Sequence, residues 1–279
     1  MDIILTGIAR SGTTLTCSLL NKLPQSVALH EPMNPAELVG LDVSTEFLER
    51  VAGFFATQRA SLLASGTAVS LARGGIVPDN PFEPTVAAEG LRPSTTGSES
   101  VQFGKRLGAG FRLSIKHPNC FTATLPALRT RYPCYALVRN PLAVLLSWNT
   151  IRAPVHDGHL PYAEAFDAGL AESLAAEPDR ITRQLIILEW YFARYAAHLP
   201  PANVIRYEDL VASGGRALAV IDPDAAALDE PLESRNASSL YDSAMVADLA
   251  GRLLDLTDPC RGFYSRASIE ALWRTWSAG

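Results

Sequence analysis

Long apolar runs are missing from this chain of 279 residues. No stretch approaches the roughly 18 apolar residues that a membrane-crossing helix needs. No basic segment precedes the first apolar run, which is only a strand long, so no signal peptide is expected. Cysteine is scarce and unpatterned. Cys17, Cys120, Cys134 and Cys260 form no C-x-x-C, which argues against a zinc framework. They read as buried thiols in a reducing compartment, so the expected location is cytoplasmic. An excess of positive charge is missing too. The formal net charge is −5, which argues against general nucleic-acid binding. An anionic ligand must therefore be held by a local cluster. His30, His156 and His159 lack metal-ligand spacing with Cys or carboxylates and read as structural or surface groups. No metal is expected, and no internal repeat is present.

What the chain does have begins at its N-terminus. The apolar run Ile3-Ile4-Leu5 leads into a turn with Gly7 and Gly12, and a helix-compatible run over 15–22 follows. A strand–loop–helix of this kind converges backbone N–H groups and the positive end of a helix on one anion. Thr13 and Thr14 sit where the helix starts, and Arg10 adds a full positive charge. A nucleotide-kinase loop reads G-x-x-x-x-G-K-S/T. Here Thr13 stands at the lysine position and the cation has moved ahead of the second glycine. The loop suits an anion without a metal. The plain alternative is an ordinary tight turn.

Further along, Val27-Ala28-Leu29 is a short strand ending at His30-Glu31-Pro32. Residues 44–63 have helical spacing, with Ser44 as the expected N-cap. Residues 64–110 are rich in Gly, Ser, Thr and Pro and read as a long loop or lid with one short helix. Residues 111–116 alternate as a strand and end at His117-Pro118. A helix is expected over 121–131 and a buried strand over 135–138. Asn140 suits an N-cap and Pro141 the first position of a helix over 142–151. Helices follow over 161–174 and 179–198, then a strand over 203–206. Asp209 is the expected cap of the next helix, and 211–279 is helical and loop-rich. The cluster Trp190, Tyr191, Phe192 and Tyr195 has helical spacing and reads as core. Strands alternating with helices imply one α/β domain over 1–279, a parallel β-sheet with helices on both faces. In such sheets ligands sit beyond the carboxyl ends of the strands. Arg10, Glu31, Lys116, His117 and Arg139 all fall there.

Three segments together resemble the sulfotransferases that use 3′-phosphoadenosine 5′-phosphosulfate (PAPS), whose fold is P-loop NTPase-like. Arg10-Ser11-Gly12-Thr13-Thr14-Leu15 is similar to the family's 5′-phosphosulfate loop, in the form with Arg that the carbohydrate-type branch often has. Residues 137–147 are similar to its 3′-phosphate motif, with Arg139 at a strand end and Ser147 eight residues later. Val204-Ile205-Arg206-Tyr207-Glu208-Asp209-Leu210 is close to a recurrent strand–turn of the family. The resemblance implies a metal-independent transfer of a sulfuryl group from PAPS to a hydroxyl, leaving PAP. Arg10, Ser11, Gly12, Thr13, Thr14, Arg139 and Ser147 would bind the co-substrate. By analogy with phosphoryl transfer, catalysis would be positioning plus charge stabilisation at the leaving phosphate.

Two bases for the acceptor hydroxyl stay open. Glu31, in a Glu-Pro like that of carbohydrate-type relatives, is favoured. His117 is the second, in a segment one residue shorter than the Lys-x-His-like one of cytosolic relatives; Lys116 would contact the bridging or sulfuryl oxygens. The R-K-G-x-x-G-x-x-K loop that covers the cofactor in cytosolic relatives is missing, with Arg235-Asn236-Ala237-Ser238 or Arg261-Gly262-Phe263 as candidate replacements. The expected acceptor is a small molecule such as a sugar, nucleoside or secondary metabolite, with a protein tyrosine as a further class. The alternatives are a P-loop small-molecule kinase using ATP, against which the missing lysine and Walker B aspartate stand, and a non-catalytic nucleotide-binding protein.

Overall fold

Strand-length apolar runs separated by helices give a sheet whose order is fixed by where each run is buried. The computed structural model describes residues 1–88, 90–238 and 240–277. Five strands, β1 (Asp2–Gly7), β2 (Ser26–His30), β5 (Arg112–Lys116), β6 (Cys134–Val138) and β7 (Val204–Arg206), pair all-parallel in the order β2-β5-β1-β6-β7. Side chains of a strand alternate between faces. Ile3 and Leu5 of β1 pack with α1 (Thr13–Leu20) and α9 (Tyr207–Ala212) on one side. Ile4 joins the larger layer on the other side. That layer is built from α2 (Glu46–Ser65), α3 (Pro118–Ala123), α4 (Leu125–Leu128), α5 (Pro141–Trp148), α6 (Pro161–Glu164), α7 (Ala168–Ala176), α8 (Arg180–His198), α10 (Ser243–Leu254) and α11 (Arg266–Ser277). Helices therefore cover both faces. The central strands β1 and β6 carry continuous apolar runs because neither face meets water, while β5 buries Ser114 and Lys116 as well. Each fully buried Leu or Ile of β1 contributes about 1.5–3 kcal/mol.

Several elements depart from expectation. The segment expected as a long loop over 64–110 carries two strands, β3 (Thr67–Ala72) and β4 (Gly97–Gln102), paired antiparallel as a small second sheet. It is tied to the main sheet where the His30 N–H donates to Ser70 Oγ (2.9 Å). β4 reads Gly-Ser-Glu-Ser-Val-Gln and buries only Val101, so it shows no alternation. Helix α2 starts at Glu46 after Thr45, not after a Ser44 cap. Asp42 instead gathers the N–H and hydroxyl groups of both Ser44 and Thr45. The helix expected over 121–131 is two short ones broken at Thr124, and the one over 161–174 is α6 and α7. Asp167 starts α7 by accepting from the Leu170 N–H (3.1 Å). Asp209 is not a cap but lies inside α9, whose N-cap position is Arg206. At α5 the expectation matches: Asn140 accepts from the Leu142 N–H (3.1 Å), with Pro141 at the first turn. Tyr191, Phe192 and Tyr195 are fully buried core, and all four cysteines are buried free thiols.

Candidate active site

The loop after β1 takes its shape from backbone that few residues adopt. Gly12 has φ 88° and Arg10 φ 73°, both left-handed. A Cβ on Gly7 would lie 2.6 Å from the Leu137 carbonyl oxygen, so the loop can approach β6 only with glycine there. The approach is used. The Ile8 N–H and Ser11 Oγ both donate to Leu137 O (2.9 and 2.8 Å), and Trp148 Nε1 at the end of α5 donates to Ala9 O (2.8 Å). The Ser11 N–H donates to Ile8 O (3.0 Å), so both donors of Ser11 serve the loop itself. The first hydrogen bond of α1 runs from the Thr16 N–H to Gly12 O (2.9 Å). The amides of Thr13 and Thr14 therefore have no partner inside the helix. With the positive end of α1 they form an anion-facing concavity.

Two arginines distant in sequence meet at this loop. Arg10 Nε donates to Ser147 Oγ on α5 (3.2 Å), and its guanidinium lies 4.8 Å from the centre of the Phe82 ring. Arg139, just beyond β6, donates from Nη1 to the Arg10 carbonyl (3.0 Å) and lies over the Tyr207 ring. Its other donors are taken by the C-terminal part of the chain: Nε gives to Asn236 Oδ1 (2.7 Å) and Nη2 to Arg235 O. Asn236 is itself held by Glu208 Oε1 (2.9 Å), which also accepts from the Asn140 N–H (3.0 Å), while Glu208 Oε2 accepts from Tyr264 OH (2.6 Å). Arg139 and Ser147 are nearly fully buried. Among the described residues no carboxylate forms an ion pair with Arg10 or Arg139. Burial, then Arg92 and Arg139, pushes the Arg10 guanidinium down to about 9, still charged at neutral pH. Of the two candidate covering segments, 235–236 lies on Arg139, whereas Phe263 stacks on Phe192 in the core.

A second cluster forms at the ends of β2 and β5, one strand from the loop. Lys116 Nζ donates to Glu31 Oε1 (2.6 Å), and His30 Nε2 lies 3.3 Å from the same oxygen. His30, expected to be structural or surface, is thus part of the carboxylate's surroundings. Glu31 has φ 44°, an unusual backbone for a non-glycine. Burial alone would raise its carboxyl pKa. Lys116, His30 and His117 outweigh burial and hold it well below the usual carboxylate range. Burial pushes His117 down to about 3, so its imidazole is neutral, and Nε2 accepts the Met33 N–H (3.2 Å). The Tyr191 phenol spans the two clusters. Its ionisation is pushed up by burial, then by Tyr195 and Glu31, and opposed by the Ala9 N–H, while its OH donates to Asn119 Oδ1 (2.5 Å).

A cavity of about 550 Å³ is lined by Met33, Leu38 and Phe54 together with Glu37, Glu46, Glu49 and Arg50, the lining starting two residues after Glu31 in the chain. Among the described residues no helix is long and apolar enough to cross a membrane. Arg10, Arg139 and Ser147 are brought together with the start of α1, and Glu31, Lys116 and His117 form a separate group. Sequence reasoning gave no functional role to His30, which lies against Glu31, or to Glu208, which reaches Arg139 through Asn236. Only His30 carried a signal, since it adjoins Glu31 at the carboxyl end of a strand.

No family model matches the chain, and no curated protein matches it. Among solved structures the chain is similar to the sulfotransferase domain from the Synechococcus PCC 7002 olefin synthase. The likeness covers 99% of this chain and 94% of that one, at 15% identity and a TM-score of 0.36.

Proposed function

We propose that this chain transfers a sulfuryl group from PAPS to a hydroxyl of a small-molecule or carbohydrate acceptor, giving PAP and a sulfate ester. The observation that carries the reading is the meeting of Arg10, Ser147 and Arg139, from segments up to 137 residues apart, at one glycine-shaped loop. The amides at the start of α1 and Arg10 face the place where the 5′-phosphosulfate would lie. They stabilise charge as it builds on the departing phosphate oxygen. Arg139 offers a planar fork for the 3′-phosphate, the group that distinguishes PAPS from ATP. That phosphate would take over from the Asn236 and Arg235 oxygens now on Arg139.

Glu31 is the better base. It is ionised and its side chain, though partly buried, is 35% exposed, whereas the lone pair of His117 Nε2 is already taken. Because Lys116 keeps Glu31 weakly basic, Glu31 first orients the acceptor hydroxyl and takes its proton late, as the new S–O bond forms. The cavity lined by Met33, Leu38 and Phe54 with Glu37, Glu46 and Glu49 offers both apolar surface and acceptors for hydroxyl groups to a sugar, nucleoside or secondary metabolite.

The test ranks PAP against ATP–magnesium by thermal shift and then follows labelled sulfate onto a panel of hydroxyl compounds. PAP is expected to stabilise the protein well ahead of ATP, without a metal. Arg139→Ala is expected to weaken PAP far more than adenosine 5′-phosphosulfate, which lacks the 3′-phosphate. Equal losses for the two ligands would remove Arg139 from the 3′ position.

A further inference from the structure

We propose that Arg92 is a third cation of this anion site, brought to it by the segment 73–96 that leaves the small second sheet. The inference rests on the reading of the Arg10–Arg139 cleft as an anion site and extends it to a residue outside the three motifs.

Arg92 is 6% exposed and rigidly mounted. Its N–H donates to Thr150 O (2.9 Å) and its carbonyl accepts from the Arg152 N–H (2.9 Å), an isolated bridge alongside Ile151. The side chain gives Nη2 to Thr150 Oγ1 (2.9 Å), and Thr150 Oγ1 donates to Ser147 O (3.0 Å). Arg92 is therefore fastened to the turn that follows Ser147, the residue that receives Arg10. The same segment supplies Phe82, which lies against the Arg10 guanidinium.

The charge balance gives this placement its meaning. Arg92 bears on Arg10, and Arg139 bears on both. Among the described residues no carboxylate forms an ion pair with any of the three. Their direct partners are the hydroxyls of Ser147 and Thr150, the rings of Phe82 and Tyr207, the Asn236 amide and backbone carbonyls, and the Glu208 carboxylate reaches Arg139 only through Asn236. Burying like charges together without a counter-ion is costly. In a chain with a net charge of −5, acidic side chains are plentiful, and among the described residues none pairs with these arginines. A ligand with two or more negative charges, a phosphate or sulfate ester pair, relieves the repulsion and takes hydrogen bonds from all three guanidiniums. A merely structural role, Arg92 holding the carbonyl end of α5, predicts lost stability without lost anion affinity.

The experiment measures binding of PAP and of inorganic pyrophosphate to wild type, Arg92→Met and Arg92→Lys by calorimetry, with melting temperatures alongside. Loss of one charge-assisted contact is expected to weaken both ligands roughly 10- to 100-fold in Arg92→Met, and Arg92→Lys is expected to recover most of that. If Arg92→Met does not fold, Arg92→Gln, which keeps a donor for Thr150, carries the same expectation. Wild-type-like affinity in a destabilised variant overturns the proposal. Binding of pyrophosphate but not PAP by wild type would end the PAPS reading and leave Arg92 to be judged on pyrophosphate alone. Binding of neither would end both.

Discussion

Gly12→Ala tests the geometry of the loop most directly. Gly12 sits at φ 88°, and a Cβ there would lie 2.8 Å from Tyr207 Cδ2. The left-handed backbone costs an alanine about 1–2 kcal/mol. Displacing a packed ring adds about 1–2 kcal/mol by the usual penalty of overpacking. The sum, about 2–4 kcal/mol, corresponds to a fall in Tm of roughly 4–8 °C for a chain of this size. The ring has two further duties. Arg139 lies 4.6 Å above its centre, and its hydroxyl accepts the Arg235 N–H (3.0 Å). Moving the ring therefore disturbs the seat of Arg139, and PAP affinity should fall along with stability. The assay is urea unfolding with a PAP titration, repeated in a Tyr207→Ala background. There the backbone cost persists while the clash disappears, leaving a coupling of about 1–2 kcal/mol. A single variant within about 0.5 kcal/mol of wild type, or the same cost with and without the Tyr207 ring, would refute the argument.

Gly53→Ala is the opposite case: a Cβ there meets nothing within 4 Å and the residue lies inside α2, so urea unfolding should show a gain of about 0.5–1 kcal/mol. Glu31→Gln should lower sulfate transfer strongly while calorimetry shows PAP affinity nearly intact; full turnover would move the base to His117 or to the acceptor itself. His117 binds its proton less readily folded (about 3) than unfolded (6.5), so between those values the unfolded state holds more protons and stability rises with pH. Acidification from pH 6.5 towards 4 should therefore cost up to about 1.4 kcal/mol per unit, and His117→Asn should flatten that slope in urea titrations. Parallel slopes for the two proteins would contradict the buried, neutral imidazole.

The parallel sheet was legible because β1 and β6 carry continuous apolar runs, β5 alternates, and each ends in a polar turn. The Asn140–Pro141 helix start and the glycines at 7 and 12 could be read for the same reason: local chemistry alone dictates them. The pairing of β3 with β4 could not, since β4 is mostly exposed and depends on a partner, not on its own pattern. The break at Thr124 did carry a signal, since Pro126 suits the first turn of a new helix and not the interior of a longer one. The role of Glu208 was not legible. Its partners Asn140, Asn236 and Tyr264 come from distant parts of the chain, and a hub assembled in space leaves no spacing to read.

The Trp148, Ile8 and Ser11 hydrogen bonds fasten the loop to β6 and to the end of α5 before any ligand arrives. Such a cradle is preorganised, and its amides lose little freedom on meeting an anion. Adaptation then falls to residues 235–236, whose oxygens a ligand must displace from Arg139. Hydrogen exchange upon ligand addition should accordingly change in that stretch and leave the amides of β6, α5 and the Arg92 bridge untouched, dividing the molecule into a fixed anvil and one moving jaw.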